Sequence, residues 1–120
     1  MEQWTREQWE QTIQQQQKSA FFIYTPLCGT CDVAKKFLEV IEQLLPDLPL
    51  GMANINYLQN LAYELKIESV PCLIVSNKGE IEKKIYAFQS VPYLYEILKK
   101  YLTFLLQRVK VTFIIVKQQT

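Results

Sequence analysis

Histidine is absent from the 120 residues, and cysteine and glycine occur only three times each. Without histidine there is no Cys–His nucleophilic couple and no imidazole-ligated metal site, so thiols, carboxylates, lysines and tyrosines are left to carry any chemistry. Zinc prefers four ligands. Three thiols would need a carboxylate as the fourth, or a site shared with a second chain, and no metal or other cofactor is expected. An excess of charge is also missing: 13 basic against 12 acidic residues give a formal net charge of +1, which leaves no electrostatic footprint for nucleic acid. Long apolar runs are missing as well. The opening "MEQWTREQWEQTIQQQQKSA" has no hydrophobic core of the length a secretion signal needs, and the apolar stretch near the C-terminus is broken by Arg108 and Lys110 and too short to span a bilayer. The expectation is a cytoplasmic protein without a membrane anchor.

A chain of this length fits one domain and buries a core without covalent staples. In a reducing compartment a closely spaced cysteine pair is more often catalytic or metal-binding than structural. Such a pair is present. In "FFIYTPLCGTCDVAKKFLEVIEQLL", Cys28 and Cys31 stand where an apolar run meets an amphipathic one.

The surrounding pattern places them. Thr5 with Gln8 reads as a capping box for a first helix whose apolar ridge is Trp9 and Ile13, with Gln14 to Gln17 as a solvated face. "AFFIYT" reads as a strand buried on both faces, which implies parallel pairing. From Asp32 to Leu45 the residues Val33, Ala34, Phe37, Leu38, Ile41, Leu44 and Leu45 make one helical stripe, ended by Pro46. "LGMANINY" is a second strand, "YLQNLAYELKI" a short helix, and "CLIVS" and "IEKKIYAF" a hairpin about "NKGE". Ser90 caps a last helix with Val91, Leu94, Leu98, Tyr101, Leu102 and Leu105 buried. Alternating strands and helices followed by a hairpin predict an α/β domain, a mixed central sheet of about four strands with helices on both faces. The tyrosines at 57, 63, 86, 93, 95 and 101 are expected to be half-buried packing residues.

Cys28 falls at a helix start, where unpaired N–H groups and the positive end of the helix dipole favour the thiolate. Cys31 lies one helical turn on, on the same face. The pair can therefore close into a disulfide: Cys28 as nucleophile attacks a substrate disulfide, and Cys31 as resolving thiol releases the reduced product. Gly29 and Thr30 form the active-site loop between them. The blander alternative, two small buried hydrophobes, sits poorly with the turn residues Pro26, Gly29 and Thr30.

"FFIYTPLCGTCDVAKKFLEVI" followed by "LAYELKIESVPCLIVSNKGEIEKKIYAF" resembles the thioredoxin family over about residues 18–105. The resemblance implies the thioredoxin fold, thiol–disulfide oxidoreductase activity, protein disulfide substrates and an unidentified electron donor. It also implies that Val70-Pro71 is the family's cis-proline loop, with Val70 offering its backbone to an extended substrate strand. Four positions depart from the family pattern. The buried acid falls at Phe22, its lysine partner near Met52, the Trp before the first cysteine at Leu27, and the Pro between the cysteines at Thr30. The competing function is a thioredoxin-fold adaptor whose cysteine pair is redox-sensitive, or binds metal, without turnover. Glutaredoxin ranks lower, because "NKGEIEKK" stands where that group has its glutathione-binding glycines.

Cys72 directly follows Pro71. It reads either as a small core residue or as a candidate third redox thiol. The domain is expected to span residues 1–107. Residues 108–120 form an apolar, β-branched extension that is a candidate for self-association or for covering a sheet edge.

Overall fold

The computed structural model describes residues 1–16 and 18–99. Among the described residues there are five strands and four α-helices. Strand β1 (Glu2–Gln3) leads into helix α1 (Arg6–Gln15), strand β2 (Lys18–Tyr24), helix α2 (Gly29–Leu44) and strand β3 (Leu50–Asn54). A 3-10 turn (Ile55–Tyr57) and helix α3 (Gln59–Glu64) precede the hairpin of β4 (Cys72–Asn77) and β5 (Glu80–Ile85). A further helix, α4, covers residues 91–99.

The sheet order is β1-β3-β2-β4-β5, with β1, β3 and β2 parallel and β4 and β5 antiparallel to their neighbours. The mixed sheet is as expected, and it has five strands rather than about four. The additional strand is β1, which pairs Glu2 with Gly51 and Gln3 with Met52.

Alternation along the strands sends side chains to two separate clusters. On one face Ala20, Phe22, Leu73 and Val75 meet Ala34, Leu38 and Ile41 of α2 and Leu94 and Leu98 of α4. On the other, Phe21, Ile23, Cys72 and Ile74 meet Trp9 of α1 and Leu61 of α3. Helices therefore cover both faces. Val33 and Leu44 of the expected α2 stripe are instead half exposed, because the face turned to the sheet is the narrower set Ala34, Leu38, Ile41 and Leu45. Tyr57 and Tyr63 are also exposed rather than half-buried.

Local signals explain the boundaries. The Thr5 hydroxyl accepts from the Gln8 amide at 3.1 Å while the Gln8 side chain accepts from the Thr5 amide at 2.8 Å, so the capping box is complete. Strand β3 stops at Asn54 because its side chain accepts from the Asn56 amide and turns the chain into the 3-10 segment. Lys78 and Gly79, at φ 54° and 84°, are both left-handed in the two-residue β4–β5 turn, and glycine meets the second position without strain. Tyr101, Leu102 and Leu105, the 107/108 boundary and the proposed self-association of residues 108–120 lie outside the described residues.

Candidate active site

Strand β2 ends at Tyr24, and residues 25–28 carry the chain across to α2. Cys28 is the N-cap of α2, in extended conformation (φ −112°, ψ 108°). Its Sγ accepts from the Cys31 amide at 3.2 Å. A thiolate at an N-cap is thus already aimed at an unpaired helix N–H, the arrangement that favours negative charge there.

Cys28 and Cys31 are joined as a disulfide, with Cα atoms 5.2 Å apart. Their environments differ. Cys28 is half-buried at the surface, whereas Cys31 is 3% exposed and belongs to the cluster of Phe22, Ala34, Leu38 and Phe88. The outer sulfur is the one that a second molecule can approach. Gly29 and Thr30 are exposed beside it, and the Thr30 hydroxyl lies 3.4 Å from the Cys28 sulfur, within hydrogen-bonding reach. Leu27, immediately before the pair, is wholly exposed and held at φ 60°, a conformation that branched and bulky residues seldom adopt.

The Val70-Pro71 peptide is cis. Pro71 forms one wall of a groove of about 410 Å³ together with Thr30, Val33, Phe37, Tyr86 and Phe88. The groove therefore runs from the turn between the cysteines, along the outer side of α2, to the segment after β5. A larger groove of about 710 Å³ lies between Trp4 and Tyr57 at the starts of α1 and α3, and none of the cysteine-loop residues lines it. Of these two grooves it is the smaller that adjoins the cysteine pair, through Thr30.

The sheet beneath the pair is apolar. Phe22 is 1% exposed, stacks on Tyr24 at 5.7 Å and meets the edge of Phe88 at 5.8 Å. Cys72 pairs with Ile23 in the β2–β4 register, so it points to the face away from Cys31 and packs with Phe21, Ile23 and Ile74. Burial pushes its thiol up from 9.0 to about 11, only partly countered by a hydrogen bond to Tyr86 and the field of Lys84. That placement favours packing over a third redox thiol. Among the described residues no group of three or more Cys, Asp and Glu comes together that could hold a metal, and no helix is long and apolar enough to cross a membrane.

The groove residues Val33, Phe37, Tyr86 and Phe88 were not marked by the sequence as functional. Val33 and Phe37 read there as core, and their only signal is that the α2 stripe is wider than one sheet face can cover.

Residues 1–100 match a family model described as Thioredoxin. A thioredoxin-like protein of Bacillus subtilis (strain 168), YusE, is 44% identical over 79 residues, covering 66% of this chain and 74% of its own. Among solved structures, mitochondrial thioredoxin 3 of Saccharomyces cerevisiae in its oxidised form superposes with a TM-score of 0.71 at 20% identity, over 78% of this chain and 88% of that one. Thioredoxin f2 of Chlamydomonas reinhardtii superposes with a TM-score of 0.74 at 17% identity, over 84% and 95% of the two chains. At these identities the structural matches speak for the fold.

Proposed function

The chain belongs to the thioredoxin family and is by class a thiol–disulfide oxidoreductase, and from that premise we propose that it exchanges disulfides with protein substrates through Cys28 and Cys31. One observation carries the reading: a surface sulfur capping a helix is bonded to a buried sulfur one turn behind it, beside an open apolar groove.

In the reduced chain the Cys28 thiolate attacks one sulfur of a substrate disulfide. A Cys28–substrate disulfide forms, and the first substrate thiolate leaves and takes up a proton. Cys31 then loses its proton and attacks the Cys28 sulfur. The Cys28–Cys31 disulfide forms, the second substrate thiolate departs, and two electrons have passed to the substrate. A donor dithiol or other thiol reductant returns the pair to its starting state. The substrate chain is proposed to lie extended across Val70, with side chains in the groove walled by Pro71, Val33 and Phe37, so that backbone pairing supplies affinity and the walls select apolar residues. Cys31 has an apolar surrounding, and its proton is proposed to leave through solvent at the exposed edge of the pair or through Asp32. The setting proposed is the cytoplasm, where thiols are kept reduced.

The test is turnover of a protein disulfide such as insulin, with dithiothreitol as donor, by the wild-type chain, Cys28→Ser and Cys31→Ser. Expected are turnover by the wild type, none above background by Cys28→Ser, and accumulation of a mixed disulfide on Cys31→Ser seen as a mass adduct. Equal rates for wild type and Cys28→Ser would leave an adaptor with a redox-sensitive pair as the reading.

A further inference from the structure

Residues 65–71 carry Val70 and Pro71 from the end of α3 to β4, and they form no strand or helix of their own. Their backbone is instead fastened to β5 and the residue following it. The Lys84 ammonium donates to the Leu65 carbonyl at 2.8 Å and to the Lys66 carbonyl at 3.5 Å. The Glu68 amide donates to the phenolic oxygen of Tyr86 at 3.2 Å.

These partners are chemically apt. Leu65 and Lys66 close α3, with Leu65 N–H bonded to Leu61 and Lys66 held at φ 55°, so their carbonyls are among those a helix end leaves unpaired. A cation is favoured at that end of the helix dipole. Among the described residues Lys84 forms no ion pair, so its charge is committed to those carbonyls rather than to a carboxylate. Register agrees, since Lys84 pairs with Ile74 and therefore stands on the α3 face of the sheet. Tyr86 packs against the cluster that holds Cys72, and its ring walls the groove next to Pro71.

We propose that Lys84 and Tyr86 are positioning residues that set the Val70-Pro71 loop against the cysteine pair for binding of an extended client chain. The assignment rests on the disulfide-exchange reading for its purpose, but the strap itself is a property of the loop. A small disulfide needs only the sulfurs. A protein disulfide needs the loop as well, so loosening the loop separates the two substrates.

The experiment compares Lys84→Met, Lys84→Arg, Tyr86→Phe and the double variant Lys84→Met/Tyr86→Phe. Lys84→Met is expected to raise KM for insulin about fivefold at unchanged kcat, the scale of one hydrogen bond's net worth. Its rate with hydroxyethyl disulfide stays at the wild-type value, and Lys84→Arg restores KM. Tyr86→Phe raises KM in the same direction, and the double variant falls short of the product of the two because both act through one loop. Amide hydrogen exchange of residues 67–70 in the oxidised protein is expected to quicken by about the same factor in Lys84→Met. Unchanged exchange overturns the strap, whether or not the chain turns over any protein disulfide. Quickened exchange with an unaltered KM overturns the positioning role while the exchange chemistry stands, and a wild type inactive on insulin with quickened exchange in Lys84→Met sinks the substrate reading and keeps the strap.

Discussion

Phe22 and Met52 stand opposite each other in the parallel pairing of β2 and β3. Both side chains enter the cluster that holds Cys31, Phe22 fully and Met52 in part. The thioredoxin resemblance implies a buried acid at Phe22 and its lysine partner near Met52. The substitution is therefore paired: each apolar residue makes the other tolerable, since either charge alone would be buried without its counterpart.

Phe22→Asp is accordingly expected to be severely destabilising. Loss of the ring alone removes about 3–5 kcal/mol, and the unpaired carboxylate adds to that, against a total stability of about 5–15 kcal/mol for a domain. Phe22→Asp/Met52→Lys is expected to recover part of the loss. Urea unfolding of the two variants decides it, and a double variant no more stable than the single one means that the two positions do not face each other.

Gly51 is the other close approach in β3. The Trp4 indole occupies the space where a Cβ on residue 51 would sit, and the same ring packs on Phe21 with centroids 5.6 Å apart. Gly51→Ala must push the indole off the sheet, at about 1–3 kcal/mol, the range for overpacking. Trp4→Ala/Gly51→Ala is expected to lose less than the sum of the single changes, because the clash is gone once the ring is removed. Additive losses in denaturant midpoints would place Trp4 elsewhere.

Gly51 also marks where sequence reading ended. The capping box at Thr5 and Gln8, the buried run Phe21–Ile23 and the Cys28–Cys31 pair were legible because each is a local pattern: a side chain meeting a nearby amide, a run of bulky residues, two sulfurs one turn apart. Strand β1 was not legible, since Glu2 and Gln3 are polar and exposed and exist as a strand only through Gly51 and Met52. The groove was half legible. Pro71 was marked through the family resemblance, but Tyr86 and Lys84 bond to a loop almost twenty residues earlier, a relation set by the β4–β5 register and not by any periodicity. Likewise Val33 and Phe37 have core-like chemistry, and only the position of α2 over the sheet brings them to the groove wall.

Leu27 invites a test of affinity without stability. Its side chain is wholly exposed and its backbone sits at φ 60°, so the folded state gains little from the leucine and carries a strain of about 1–2 kcal/mol. Leu27→Gly relieves that strain while adding about 0.5–1 kcal/mol of unfolded-state entropy, so stability is expected to be unchanged or slightly higher. If the leucine is a client contact beside Cys28, KM for insulin rises while the rate with hydroxyethyl disulfide holds. Thermal unfolding and the two assays together check this; a marked loss of stability would show that the side chain packs against something.

Cys72 makes a prediction at alkaline pH. Its folded-state pKa is raised from 9.0 to about 11, first by burial, so the folded chain keeps a proton that the unfolded chain releases. The associated stability is fully present below pH 9 and is lost as pH climbs to about 11, a change on the order of 2 kcal/mol. Lys18 works the other way. Burial lowers its pKa, so its contribution grows with pH up to the ordinary 10.5. Tyr86, raised first by desolvation, shares the sign of Cys72 from its ordinary 10.0 upward. The wild-type curve alone mixes the three, and the informative quantity is the difference between Cys72 and Cys72→Ala chains. Both should carry Cys28→Ser and Cys31→Ser, so that the unfolded thiol has no disulfide to exchange with. The advantage of the chain with Cys72 is expected to shrink by about 2 kcal/mol between pH 8.5 and 11 in urea titrations. A difference that stays flat across that window would mean that the thiol meets water.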